Sequence, residues 1–255
     1  MILRKALAAL LATCLAYVTP ASAGVVMYGT RVVYDESNRT VSICLANKDN
    51  APNLMQVWVD RGEGRPPEEA DAVPFVITPP LFRLAPQGQQ NVRIAFDVAA
   101  GASLPRDRES LFWFNFLQVP PKDSKVPQAQ ALMQMAFHQQ VKLFYRPAGL
   151  QGDPAQVPDA LRFAIEPATN KKGKWHIVVT NPTAYHANFS GRVALISDGA
   201  ESEVDMGDQL TVAPFASVLW PVSPSHAPVA GEIAFSLIGD RGNLMAGRAV
   251  VEVRQ

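Results

Sequence analysis

The chain reads as an all-β protein made of two immunoglobulin-like β-sandwiches in tandem. Three observations predict this. Short runs of alternating apolar and polar residues recur along the 255 residues, the period at which side chains share one face of a strand. Clusters of Pro, Gly, Asn, Asp and Ser separate these runs and supply turn chemistry. No segment carries a long apolar stripe at the 3.6-residue period of an amphipathic helix.

A leader precedes the first strand. Arg4 and Lys5 open onto an apolar run from Ala6 to about Val18, and Ala21-Ser22-Ala23 follows as a small-x-small cleavage signal. Residues 1–23 therefore read as a secretory signal peptide, and the mature protein is expected to be soluble and exported. No later segment reaches the roughly 18 apolar residues of a membrane span, so no membrane insertion is expected. Removing the leader leaves 21 basic against 23 acidic residues, a net charge of −2. That balance gives no argument for nucleic acid or for an anionic membrane surface. Only Cys44 remains after cleavage, so an internal disulfide is impossible and burial alone must stabilise the cores. On its predicted strand, Cys44 reads as a small core residue.

In order, the first strand candidates are residues 25–35 and 40–46, split by the polar cluster Glu36-Ser37-Asn38-Arg39. A third runs over 54–60 around Trp58. Pro74, Pro79 and Pro80 bracket a short one at 75–78, and 91–96 alternates again. Residues 111–119, rich in Phe and Trp, look the most buried, and 131–145 is the longest run. Arg146-Pro147-Ala148-Gly149 ends the set, because proline cannot continue a central ladder and glycine frees the chain to turn. The first domain is accordingly placed at 24–146 and the second at 147–255. The second half repeats the class with weaker patterning, at 161–166, 175–181, 189–196, 208–212, 217–222, 231–238 and 246–253.

The longest run carries the functional signal. Met133, Met135, Phe137 and Val141 occupy every second place, interrupted by Gln139, and Lys142 stands at the end. Alternating knobs that end at a cation suit a strand that holds another chain's strand by its terminus. Read by periodicity alone, the same residues would also suit this domain's own core.

Several segments together resemble the periplasmic chaperones of the chaperone–usher pilus pathway. They are Gly29-Thr30-Arg31-Val32-Val33-Tyr34, Ile77-Thr78-Pro79-Pro80-Leu81-Phe82-Arg83-Leu84, Leu104-Pro105-Arg106-Asp107-Arg108-Glu109-Ser110-Leu111-Phe112-Trp113-Phe114-Asn115, Val119-Pro120-Pro121, Val141-Lys142-Leu143-Phe144-Tyr145-Arg146-Pro147 and Asn181-Pro182-Thr183. The resemblance spans nearly all of the mature chain in order. It implies a boomerang of two domains with a cleft between them, working in the periplasm. It also implies a chaperone that caps pilus subunits lacking a strand until an outer-membrane usher exchanges its lent strand for another subunit's. The knobs would be Met133, Met135 and Phe137, with Leu132 flanking; methionine's flexible thioether adapts to differing pockets.

By the same resemblance, Arg31 and Lys142 would bind the subunit's C-terminal carboxylate, with Thr30 assisting. An Arg fork and a Lys point charge can both make charge-assisted hydrogen bonds to such a group. Glu109, Arg146 and Asp240 would form a structural salt-bridge set between the domains. Asp240 lies in Gly239-Asp240-Arg241-Gly242, which departs from the commoner loop, and Arg241 or Arg248 could compete for its partners. The absence of a cysteine pair around the 121–142 hairpin favours the short-loop subclass. An apolar edge also invites self-association.

Other classes find little support. The four histidines, His138, His176, His186 and His226, have no metal-ligand spacing, and no nucleophile elbow, phosphate-binding loop or paired-cysteine motif occurs. His138 falls on the face opposite the knobs and reads as strand surface. No catalysis, metal or cofactor is expected. An exported β-sandwich subunit or adhesin remains the alternative. Such a subunit should show one incomplete domain and a donating N-terminal extension, whereas this chain shows two apparently complete domains and an internal candidate donor.

Overall fold

The computed structural model describes residues 24–69, 71–122, 135–167, 175–197, 199–222 and 230–254. In the first half, β1 (Val25–Met27), β3 (Thr40–Asn47), β7 (Gln89–Phe96) and β5 (Phe75–Thr78) form one sheet in the order β1-β3-β7-β5. The facing sheet has the order β2-β9-β8-β4-β6, from β2 (Val32–Asp35), β9 (Phe137–Arg146), β8 (Ser110–Val119), β4 (Asn53–Asp60) and β6 (Leu81–Leu84).

The run at 25–35 is not one strand. It switches sheets between β1 and β2. Gly29, at φ +113°, supplies a conformation that a side chain would resist. The core-facing residues pass from Val25 and Met27 to Val32 and Tyr34, so the phase of the alternation breaks at the switch. Side chains from both sheets meet in one core, including Leu45, Met55, Ile94, Phe112, Phe114, Phe116 and Leu143, all essentially inaccessible. Each contributes roughly 1.5–3 kcal/mol of burial. Cys44 corrects an expectation. It alternates with the core residues Ile43 and Leu45, so it lies half-buried on the other face of β3, with Sγ 3.6 Å from Gln89 Oε1.

In the second half, seven strands form one continuous sheet ordered β14-β13-β17-β18-β10-β11-β16. They are β10 (Arg162–Pro167), β11 (Trp175–Asn181), β13 (Val193–Ser197), β14 (Ala200–Val204), β16 (Ala216–Val222), β17 (Gly231–Ile238) and β18 (Leu244–Val253). Residues from both ends of it, such as Ile177 and Trp220 on one side and Leu195 and Ile233 on the other, share a single core, so the sheet folds back on itself. A two-stranded ladder, β12 (Ala187–Asn188) with β15 (Thr211–Val212), flanks it. One short helix, α1 (Val157–Ala160), precedes β10.

The two halves repeat two devices. In each, an early strand pairs in parallel with the last one: β2 with β9, and β10 with β18. In each, an asparagine at a strand end donates to three carbonyls. Asn47 Nδ2 reaches Ala51, Leu84 and Ala85 at 2.8, 3.3 and 3.0 Å, and Asn181 Nδ2 reaches Tyr185, Val212 and Ala213 at 2.7, 3.2 and 3.1 Å. Buried carbonyls outside the ladders need such donors.

Candidate functional site

The strand β9 organises the site. Val141, Leu143 and Tyr145 face the core of the first sandwich, and Phe137 and Gln139 continue that face beyond it. On the other face lie His138, Gln140, Lys142, Phe144 and Arg146. One edge of β9 pairs with β8 from Phe137 to Tyr145, while β2 covers the opposite edge only from Leu143 to Arg146. Among the described residues, no strand pairs with 137–142 on that side. The backbone groups pointing outward there are a template for another strand.

Phe137 is 51% exposed and Met135 55%, so neither belongs to this domain's own core. Gln139, the break in the apolar alternation, extends its amide to the carbonyl of Val25 at 3.4 Å. Leu132 and Met133 lie outside the described residues. His138 is exposed on the opposite face, stacked 5.0 Å from Trp58, with Nε2 2.9 Å from Asn115 Oδ1.

Where the open edge ends, two cations sit in the cleft between the halves. Lys142 Nζ donates to Asn188 Oδ1 at 3.0 Å and to the hydroxyl of Thr211, and lies 5.9 Å from the Trp113 ring centroid. Arg31 Nη1 donates to the carbonyl of Ile238 at 2.8 Å, and its guanidinium lies 5.9 Å from the Phe144 ring centroid. These hydrogen-bond partners are neutral oxygens of the second sandwich. Arg31 Nε is buried and finds no hydrogen-bond partner among the described residues. Burial, and then the charge of Arg31, pushes the Lys142 ammonium down to about 8. Burial also lowers Arg31, against the opposing pull of Asp240 and Glu109. Two like charges partly removed from water, held by neutral acceptors, are disposed to receive an anion. Thr30 is exposed, against the loop at Gly242, where an added Cβ would lie 2.8 Å from its Oγ1.

Glu109, Arg146 and Asp240 are brought together. Glu109 Oε1 accepts from Arg146 Nε and Nη2 at 2.9 and 2.7 Å, and Asp240 accepts from Nη1 and Nη2 at 2.8 and 3.0 Å. Burial works against the Arg146 charge, but these two carboxylates overcome it and raise the guanidinium pKa. Arg248 pairs instead with Glu232, and Arg241 lines the cleft. Sequence reasoning missed His186, whose N–H donates to Glu109 Oε2 at 2.8 Å and whose Nδ1 lies 3.1 Å from the same oxygen. It also missed Asn188 and Thr211. They sit on the two-residue strands β12 and β15, too short to show any pattern.

Two sandwiches thus meet across a cleft that holds Arg31 and Lys142, and among the described residues one long strand is unpaired along part of one edge. Residues 24–151 match the pili and flagellar-assembly chaperones at the PapD N-terminal domain, and residues 156–249 match the pili assembly chaperone PapD C-terminal domain. Over 239 residues the chain is 37% identical to the probable fimbrial chaperone YadV of Escherichia coli (strain K12), covering 93% of this chain and 94% of that one. The crystal structure of the YadV chaperone matches with a TM-score of 0.72 at 35% identity, over 89% of this chain and 98% of that one. A chain from the complex of Salmonella enterica SafA pilin with the SafB chaperone matches with a TM-score of 0.68 at 27% identity, over 89% and 96%. The chain belongs to the PapD family of pilus chaperones, and its role is that of a chaperone in pilus assembly.

Proposed function

We propose that the chain is exported to the periplasm, loses its leader after Ala23, and lends the open edge of β9 to pilus subunits that lack a strand, before handing them to an outer-membrane usher. The observation that carries this reading is the edge itself. Among the described residues, no strand pairs with 137–142 on one side, and the open stretch ends at Lys142 beside β2, which Arg31 precedes. A subunit strand laid there gains backbone hydrogen bonds, while Met135 and Phe137, continued by Met133 and Leu132, fill its groove. Its terminal carboxylate gives Arg31 and Lys142 a charged acceptor in place of neutral ones. Thr30 flanks that position. The crystallised SafA pilin–SafB chaperone complex supports a pilin as the class of partner.

Glu109, Arg146 and Asp240 fix the angle between the domains, whose boundary follows Arg146. Without a subunit, the same edge serves self-association. Subunit transfer runs on the free-energy difference between strand partners, without catalysis, metal, cofactor or nucleotide. A subunit or adhesin role is less well supported, since both halves have a closed core of their own. Co-purification with pilin subunits from periplasm, comparing wild type with Lys142→Ala, tests the proposal. A one-to-one complex with wild type, lost in a folded variant, is the expected result. Equal recovery with both proteins refutes the carboxylate anchor, and no subunit captured by either refutes the strand-lending role.

A further inference from the structure

The beginning of the first sandwich is held by side chains as well as by strand pairing. Gly24 N–H donates to Asp49 Oδ1 at 3.2 Å, and Val25 N–H donates to Gln118 Oε1 at 2.9 Å. Asp49 Oδ2 accepts from Asn53 Nδ2 and from Gln118 Nε2, both at 3.1 Å, and its own N–H donates to Asn47 Oδ1 at 2.9 Å. Asn53 and Gln118 are buried, so they hold the carboxylate in place. Gly24 has φ +58°, and a Cβ there would lie 3.0 Å from Gln118 Oε1. Both facts favour glycine at this position over any residue with a side chain. Lys48 N–H closes the arrangement onto the Gly24 carbonyl at 2.8 Å.

We propose that Asp49 is the receptor for the mature N-terminus, forming an ion pair that exists only after the leader is removed. This rests on the reading that cleavage falls after Ala23. Water adds to the Ala23 carbonyl carbon and the Ala23–Gly24 C–N bond breaks. Ala23 leaves with a carboxylate, and Gly24 keeps the nitrogen as an α-ammonium. In the precursor that nitrogen is an amide offering one neutral donor to Asp49. In the mature chain it is a cation against a carboxylate, with charge on both sides of the bond. The ion pair fixes the start of β1, and the chain runs from β1 through Gly29 to Arg31. Processing thereby tightens the segment that carries one of the two cleft cations.

The test compares the protein made to start at Gly24 with the same protein started at Ala21, each with Asp49 or Asp49→Asn. The Gly24 form should melt about 2–4 °C higher, the shift expected for about 1 kcal/mol in a chain of this size. That gap should collapse in the Asp49→Asn pair. No gap in the native background, or a gap that Asp49→Asn leaves unchanged, overturns the proposal. Should Asp49→Asn fail to fold, the wild-type gap is read at low salt and at about 1 M salt, where an ion pair is screened. Narrowing supports the pair, and an unchanged gap overturns it. The intact mass of the exported protein tests the cleavage reading separately: a start other than Gly24 refutes that reading, while the melting comparison still judges the ion pair.

Discussion

Replacing Glu109 with alanine removes the hub of the contact between the two halves. Its side chain is only 3% exposed and that of Arg146 14%, so the pair lies in a region where solvent screens little. Glu109 accepts from two Arg146 nitrogens and from the backbone N–H of His186, at 2.9, 2.7 and 2.8 Å. Truncating one partner of a buried pair costs about 3–5 kcal/mol, because the other charge is left uncompensated. Asp240 retains both of its bonds to Arg146, but it is 41% exposed and compensates only in part. The loss should therefore fall at the lower end, about 3 kcal/mol. In a chain of this size each kcal/mol moves Tm by about 2–4 °C, so Glu109→Ala should melt about 6–12 °C below wild type. Differential scanning calorimetry is the assay. Glu109→Gln, which keeps the shape and an acceptor, should recover part of the loss. A Glu109→Ala transition within about 2 °C of wild type would place the set among solvated surface charges of little worth and refute the reasoning.

Lys142 sets a pH dependence. With its ammonium at about 8, binding of a peptide ending in a free carboxylate should be flat to about pH 8 and weaken above it, and Lys142→Arg should flatten the profile; isothermal titration from pH 7 to 9.5 checks this, and a flat wild-type profile refutes it. The weakening is not unfolding by this group: between about 8 and the ordinary 10.5 the unfolded lysine holds more protons than the folded one, so its contribution to stability rises with pH. Met135→Asp should keep the wild-type Tm, since Met135 is exposed, yet lose pilin capture by roughly tenfold or more through an unpaired charge in an apolar groove. Pull-down and thermal melting read the two effects, and either a lowered Tm or undiminished capture contradicts the role given to Met135.

How far the sequence could be read depended on where the constraint lay. Strands with one buried face declared themselves: β11 and β17 occupy the residues that alternation marks, and Phe112, Phe114 and Phe116 of β8 all point inward. β14, reading Ala-Glu-Ser-Glu-Val, escaped notice because an edge strand has little apolar patterning to show. β6 escaped because its four residues follow two prolines and lack a full alternating run. The cleft cations were visible as charges at the ends of apolar strands. Their acceptors were not, since an amide, a hydroxyl and a backbone carbonyl are ordinary turn chemistry until the second sandwich brings them to Lys142 and Arg31. His186 was weighed only as a metal ligand, and its contact with Glu109 depends on the docking of one half against the other.

The order of residues around the end of the open edge constrains the direction of the partner strand. β2 runs parallel to β9 and begins at Val32, opposite Leu143. A strand added beside 137–142 lies in line with β2 on the same edge and cannot extend past it, because β2 already occupies the next ladder positions. Arg31 immediately precedes β2, and Lys142 immediately precedes the first covered residue of β9. A terminal carboxylate meets both cations only if the added strand ends there. On the proposed reading, its C-terminus therefore points the same way as that of β9, and the two strands run parallel. Phe137 and Lys142 are five residues apart, about 17 Å along a strand, and an odd separation places them on opposite faces. The knob can then enter the partner's groove while the ammonium turns into the cleft. An even separation would put both on one face and force a choice between them. On that reading, the place where β2 takes over the edge sets where a captured chain ends, and the spacing along β9 sets which of its pockets is filled.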